Sequence, residues 1–470
     1  MSETASLDPA SAAPAQPAPR FTQGPIMRHV AVMSATAAVG LMAIFLVDVL
    51  SLLYVSWLHS DMKIAAVGFA STILFFAMSV NIGLMIAVSA LVSRALGARD
   101  RQAARRMAGS GVALTALLAA LVGMGMWLFR DALLGALNAS GETASLASSF
   151  LNVTLPANVF MGFGIAYSAV LRAAGDARRA MYVTLGGGIA TAFIDPLLIF
   201  GLRLDVMGAA YAIVISRLVF AAIGYHGAVV VHDLVAWPGF RATFHDAGPL
   251  AAIAAPAVLT NLATPFGNAF LASIVALYGV EAMAASAVID RLIPLAFGGL
   301  FALSGAIGPI LGQNWGAGLF PRMRRTLGDA MLLNLIYVGA MWIVLMLARE
   351  QVIGLFNLHG QAADIVALFC FISGPAWICI GALFVANAVF NNLDYPLLAT
   401  LFNWGRATLG TIPFAYAGAH YYGAPGAIVG VFAAGAVFGI AAGWSSWLVL
   451  GRLAASGKLP ARRGKPATAA

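Results

Sequence analysis

The chain has 470 residues, 61% of them hydrophobic and only 9% charged, with a formal net charge of +8. A soluble domain is about 25% charged. The composition therefore excludes a soluble enzyme, a fibrous protein and a disordered scaffold, and leaves a polytopic membrane protein.

Segment length decides which kind. A spanning helix needs roughly 20 apolar residues, whereas a barrel strand needs about 10 of alternating polarity. Uncharged runs here cover 64–93, 250–280 and 292–321 without alternation. The fold class predicted is an all-α polytopic membrane protein with twelve transmembrane helices in two pseudo-symmetric six-helix lobes.

In chain order, residues 1–24 read as a disordered tail rich in Ala, Pro and Ser. An N-lobe follows over 25–231, with spans at 29–57, 64–91, 107–129, 143–171, 180–202 and 206–231. Residues 232–246 form a polar cytoplasmic linker. The C-lobe covers 247–451, with spans at 247–278, 283–311, 328–348, 363–391, 395–418 and 424–450. A basic cytoplasmic tail closes the chain over 452–470. The last division falls near Tyr421-Tyr422-Gly423, within an uncharged stretch long enough for two helices.

Basic residues set the orientation, because short cytoplasmic loops collect Lys and Arg. With both termini inside, nineteen of the 26 lie on the inner side and four on the outer side, namely Lys63, Arg130, Arg203 and Arg349. Arg217, Arg291 and Arg406 fall within spans. This asymmetry accounts for the net charge without a nucleic-acid partner and places both termini on the cytoplasmic side. Cys370 and Cys379 are nine residues apart, about 13 Å along a helix, too far for a mutual disulfide. They read as packing residues. No metal-ligand cluster, cofactor site or phosphate loop is visible.

The second half repeats the first. Ile64-Ala65-Ala66 precedes Met283-Ala284-Ala285 by 219 positions, and Leu96-Gly97-Ala98 precedes Trp315-Gly316-Ala317 by the same shift. Arg105-Arg106 matches Arg324-Arg325; Asp176 matches Asp394 at a shift of 218. Two like-oriented halves of six spans imply an axis along the membrane normal, a transporter design with a cavity between lobes.

Three carboxylates, Asp48, Asp195 and Asp290, fall inside predicted spans. A charged carboxylate at mid-membrane costs roughly 2.5–3.5 kcal/mol on insertion scales, so such a residue marks a functional site by default. Asp195 precedes Pro196, whose missing N–H interrupts a helix. Proton exchange at Asp195 is therefore expected to bias the bend of its span. Asp290 and Arg291 are adjacent, about 100° apart around a helix, and are poorly placed to pair with each other.

Several motifs together resemble the multidrug and toxic compound extrusion (MATE) transporters, especially their DinF-like branch. They are Asp48, Ala65-Ala66-Val67-Gly68, Leu96-Gly97-Ala98, Pro156, Leu171-Arg172-Ala173-Ala174-Gly175-Asp176, Asp195-Pro196, Gly208-Ala209-Ala210 and Gly312-Gln313-Asn314-Trp315-Gly316-Ala317. The likeness runs from Pro25 to Gly451. It implies a twelve-helix exporter, not an enzyme, driven by inward H⁺ or Na⁺, with Asp48 and Asp195 facing the N-lobe cavity as the ion-coupling pair. Family members often carry Asn four residues before the second of these; Thr191 stands there instead, which favours H⁺ over Na⁺. Thr191, Tyr54, Asn158, Tyr167 and Tyr211 are auxiliary polar candidates, with Asp290 and Arg291 in the second half. A drug cavity should be apolar and aromatic with a few polar points. Its candidates are Phe45, Phe75, Phe76, Met78, Asn81, Phe266, Asn268, Phe297, Phe301 and Asn387. The expected partners are amphipathic or cationic small molecules and membrane lipids, with the monomer as working unit. The rival reading is a flippase for a lipid-linked or amphipathic metabolite, whose anionic head group calls for several cavity arginines. A scaffold without transport would instead fill the space between lobes.

Overall fold

The computed structural model describes residues 19–460 except His59; the side chains of Asp48, Leu52, Ser56 and Asp61 are also outside the described residues. Every long element is a helix. The first half contains α1 (Ile26–Ser56), α2 (Asp61–Gly97), α3 (Arg101–Leu128), α4 (Arg130–Ala136), α5 (Gly141–Thr154), α6 (Asn158–Ala174), α7 (Ala177–Pro196) and α8 (Val206–Tyr225). The second contains α9 (Phe240–Val275), α10 (Val280–Gly316), α11 (Phe320–Leu347), α12 (Arg349–Leu355), α13 (Gly360–Asn392), α14 (Pro396–Gly405) and α15 (Thr411–Ser456).

Ten helical segments are long and apolar enough to cross a membrane. The α5–α6 pair, bent by 51° at the Pro156 turn, makes an eleventh span. The twelfth is hidden in the continuous stretch Pro396–Ser456. Gly423 interrupts it at φ 64°, ψ −151°. There the chain reverses: a Cβ on Gly418 would lie 1.9 Å from the Gly426 carbonyl oxygen, and one on Gly430 2.1 Å from that of Phe414. The helices on either side of Gly423 thus lie back to back as two spans. Twelve spans result, as the sequence predicts.

The repeat extends to whole elements. α2 and α10 each have 37 residues and start 219 positions apart; α3 and α11, with 28 each, and α4 and α12, with 7 each, keep that shift. Left-handed backbone recurs at it too: Arg99 with Gly318, Asn138 with Asn357, Gly141 with Gly360, and Gly175 with Asp394. Asp205 (φ 57°, ψ −143°) opens α8 in the same conformation that Gly423 uses to open the twelfth span, 218 positions later. The turns, not only the apolar runs, are duplicated.

The lobes meet through α1 and α2 of one half and α9 and α10 of the other: α1 packs on α10, α2 on α9, and α2 on α10. At one end the α2–α10 crossing is closed backbone to backbone. A Cβ on Gly97 would lie 2.1 Å from the Gln313 carbonyl oxygen, and a Cβ on Gly316 would lie 2.1 Å from that of Arg94. Residues 94 and 97 are the repeat equivalents of 313 and 316, so the two contacts exchange under the pseudo-two-fold. Only glycine permits this approach. A second exchanged pair reinforces it: Arg94 Nε donates to the Asn392 carbonyl at 3.0 Å and Gln313 Nε2 donates to the Ala173 carbonyl at 2.7 Å.

This closed end also carries the basic loops, and both described chain ends converge on it. Two expected boundaries shift as a result. The tail assigned to 1–24 stops being a tail by Arg20, because Arg20–Thr22 forms a 3₁₀ turn with Phe21 1% exposed. Phe21 N donates to Gln313 Oε1, and Arg322 donates to the carbonyls of Phe21, Gln23 and Gly24. The linker is shortened, since α9 already begins at Phe240, and it is likewise held down. Ala236 N donates to the Arg105 carbonyl, Arg105 pairs with Asp233, and Asp246 in the second turn of α9 accepts from Arg106 and Ser110 of α3.

Asp176 shows how one loop is fixed. It caps α7 by accepting from Arg179 N, and it also accepts from Arg179 Nη1 at 2.6 Å and His232 Nε2 at 2.8 Å. Burial pushes its carboxyl up, but these donors, His232 foremost, outweigh burial and hold it below the ordinary carboxylate range.

Candidate transport site

α1 and α7 run side by side in the same direction. Gly40 faces Thr184, Gly188 faces Ala43 and Val47, and Ser51 faces Asp195. Small residues on α7 allow the approach. It delivers Asp195, 1% exposed, to the Ser51 hydroxyl, which donates to its carboxylate. No cationic side chain pairs with Asp195 among the described residues. Directly after it, Pro196 withholds a backbone donor and Leu197–Gly201 continues as a π-helical turn. The carboxylate thus sits at the break of its span, next to a helix that also lines the interface between lobes.

Asp48 falls on α1, three residues before Ser51, and its side chain is outside the described residues. Tyr54, three residues after Ser51, packs against Phe200 beyond the α7 break, with ring centroids 6.4 Å apart. Thr191 is 8% exposed on α7, and its hydroxyl donates to its own helix at Gly187. Tyr211 is 43% exposed. Asn158 and Tyr167 are not brought to Asp195. Asn158 is engaged with Asn81 of α2 and the Ala119 carbonyl of α3. Tyr167 packs on Phe163, Tyr225 and Gly224 further toward the basic end.

The cavity candidates divide by burial. Asn81 is fully buried against Asn158, Phe297 is fully buried and stacked on Trp377 at 4.7 Å, and Asn387 accepts from Asn403 inside the C-lobe. These three pack lobe interiors, although Asn81 Oδ1 has no partner among the described residues. Phe75, Phe76, Phe266, Asn268 and Phe301 are exposed, and Phe45 and Met78 are half-buried. Asp290 and Arg291 are exposed on α10, ten and eleven residues into its span Val280–Gly316. Arg406 donates to Thr264 Oγ1 and Arg217 to the Thr154 carbonyl at the α5–α6 break, and neither meets a carboxylate among the described residues.

One helix end differs from the sequence expectation. A span ending at 171 puts Arg172 in the inner loop. In the structure α6 continues to Ala174, and Gly175 at φ 87° terminates it. Arg172 is therefore helical, and its Nη1 reaches the place where a side chain on Gly305 of α10 would begin, 3.3 Å from an ideal Cβ there. The signal was present: a glycine just past the last helical residue is the ordinary left-handed helix stop.

Twelve spans in two like halves, closed at one end by crossing glycines and holding an isolated carboxylate at a helix break, define a polytopic membrane transporter. The family model MatE matches twice, over residues 37–197 and 256–417, one match per half, and the chain belongs to that family. Among curated relatives, an "FAD transporter" of Shewanella oneidensis is 27% identical over 431 residues, covering 89% of this chain and 93% of that protein. The "Probable multidrug resistance protein NorM" of Thermotoga maritima is 26% identical, covering 66% and 68%. Staphylococcus aureus "Multidrug export protein MepA" is 24% identical, covering 75% and 78%. Among solved structures, an outward-facing multidrug resistance MATE family transporter superposes with a TM-score of 0.87 at 21% identity, covering 93% and 98%. Vibrio cholerae MATE transporter VcmN in its bent form gives 0.84 at 23%, covering 92% and 98%. These likenesses establish the fold: twelve helices in two lobes.

Proposed function

We propose that this transporter is an ion-coupled antiporter, H⁺ in preference to Na⁺, that exports bulky amphipathic or cationic compounds across the bacterial cytoplasmic membrane, with the basic, closed end inside and coupling in the N-lobe through Asp195 and Asp48, as in the DinF-like branch. The observation that carries this is Asp195: a carboxylate buried in a spanning helix, with only the Ser51 hydroxyl for a partner among the described residues, at a proline break. Its charge requires compensation. A proton or a cation supplies it in turn, and the two occupants exclude each other. The charged carboxylate accepts hydrogen bonds, whereas the protonated one also donates. Each proton exchange therefore rewrites the contacts across α1 and α7 beside Pro196, and this bends the span and biases the lobes.

The test is ethidium flux in liposomes containing the purified protein, under an imposed proton gradient and then a sodium gradient. Gradient-driven flux that is lost in Asp195→Asn and Asp48→Asn is expected, with the proton gradient the effective one. Undiminished gradient-driven flux in folded Asp195→Asn would overturn the coupling assignment. A second reading is export of an amphipathic metabolite. It is favoured by the Shewanella relative described as an FAD transporter, whose whole length this chain nearly spans.

A further inference from the structure

α10 presents glycines at 305, 308, 312 and 316 toward its neighbours. Three of the gaps are filled by groups with ordinary packing or bonding roles: the Asn392 amide at 308, Ser93 at 312 and the Arg94 backbone at 316. At 305 the filler is the Arg172 guanidinium, which comes from the other lobe. The closed end is sealed at Gln313, to which Ala173, the very next residue of α6, is bonded. Gly305 lies eight residues further along α10, about 12 Å from that seal toward the opposite end. Arg172 reaches it because side chains lean toward the N-terminus of their helix, and α6 begins at the far end. The guanidinium thus stands on the interior side of the seal, between the lobes.

Among the described residues Arg172 makes no hydrogen bond and no ion pair, and it is partly exposed. Arg94, its neighbour across the seal, is by contrast bonded to Asp394 at 2.5 Å and to two carbonyls. Four residues earlier on α6, one turn along the same face, the Ser168 hydroxyl is buried without a partner. Four residues before Gly305 on α10, Phe301 is 37% exposed and set edge-on to Phe384. Beyond it, Phe45 of α1 approaches Gly298. A planar five-donor cation, an unused hydroxyl and flanking rings suit a ligand with an anionic oxygen group at one end and an aromatic body at the other.

We propose that the space between the lobes at Gly305 is an anion subsite, in which Arg172 receives a phosphate ester borne by an aromatic amphipath. This deepens the metabolite reading and rests on the chain being a transporter. The phosphate replaces the missing counter-charge, and the ring system lies along Phe301 toward Phe45.

Flavin mononucleotide and riboflavin differ by one phosphate and report binding through quenching of the same fluorophore. With the purified full chain in phosphatidylcholine nanodiscs, the mononucleotide should bind at least ~10-fold more tightly than riboflavin, since a charge-assisted bond to a partly buried cation is worth about one to two decades. Arg172→Ala should collapse the ratio to about 1, and Arg172→Lys should keep part of it. Gly305→Asp leaves Arg172 in place but hands it a carboxylate, and should collapse the ratio too. A wild type with no preference, including one that binds neither flavin, overturns the proposal, as does a preference that survives both Arg172→Ala and Gly305→Asp. Repeating the titration in phosphatidylglycerol separates sources: a retained ratio assigns the subsite to a soluble phosphate ester, and a ratio abolished only by that lipid assigns it to a lipid head group. Ethidium flux on the same preparation reads the transporter assignment separately. Flux without a phosphate preference sinks the subsite alone.

Discussion

Methyl groups at Gly97 and Gly316 should pry the basic end open. Each Cβ would sit 2.1 Å from a carbonyl oxygen of the facing helix, with further backbone atoms at 2.7 Å for Gly97 and 2.9 Å for Gly316. Backbone cannot swing aside as a side-chain tip does, and ordinary contact begins near 3.4 Å. The α2 and α10 crossing must therefore separate by more than an ångström. Overpacking of this kind costs about 1–3 kcal/mol. The clash exists only where the two helices touch, so the cost falls on the closed arrangement and not on one with this end apart. A differential of that size shifts the ratio of the two states roughly 5- to 150-fold. The two glycines are repeat equivalents, so Gly97→Ala and Gly316→Ala should act alike. Spin labels at exposed Arg101 and Arg324, in a background lacking Cys370 and Cys379, would report the separation by dipolar spectroscopy. The distance distribution should lengthen in each single variant and more in the double. An unchanged distribution in the double variant, with the protein folded, would refute the claim that this glycine crossing is the seal.

Two further outcomes follow from local geometry. The carboxyl of Asp176 is held below its ordinary range, so the stability it contributes is complete above about pH 4, the unfolded value, and is lost as pH falls through the lower folded value. Melting temperature in detergent should fall less steeply on acidification below pH 4 in Asp176→Asn than in the wild type, from a lower starting point at pH 7. Gly423→Val should cost about 1–3 kcal/mol, because φ 64°, ψ −151° is nearly closed to branched residues. Gly423→Asp should cost less, since Asp205 holds the same conformation in the first half and its carboxylate accepts from Val206 N at 2.8 Å; thermal unfolding ranks the two.

Much of the architecture was legible in order of residues alone. Span length, the loop arginines and the 219-residue shift are properties of the chain in one dimension, because a bilayer forces each crossing to be long, apolar and internally hydrogen-bonded. Asp195 could be singled out the same way: a carboxylate is conspicuous wherever its neighbours are uncharged. Its partner Ser51 could not, since 144 positions separate them and serine is unremarkable in a helix. Residues 158 and 167 point into other parts of the N-lobe, and helical spacing alone cannot rank faces when apolar residues surround the helix on all sides.

Tertiary structure decided the rest, for a reason that recurs at each site. Gly97 and Gly316 look like loop-leading glycines until the repeat folds them onto each other's neighbouring carbonyls. Phe21 looks like part of a tail until Gln313, 292 positions later, accepts its N–H. Arg172 belongs to a basic cluster by sequence, yet three further residues of helix aim its charge inward instead of at the loop. What the order of residues determined was how many times the chain crosses and which end gathers positive charge. Which side chains meet between the lobes depends on where helices stop and how closely two of them approach, and those are set by atoms far apart in the chain.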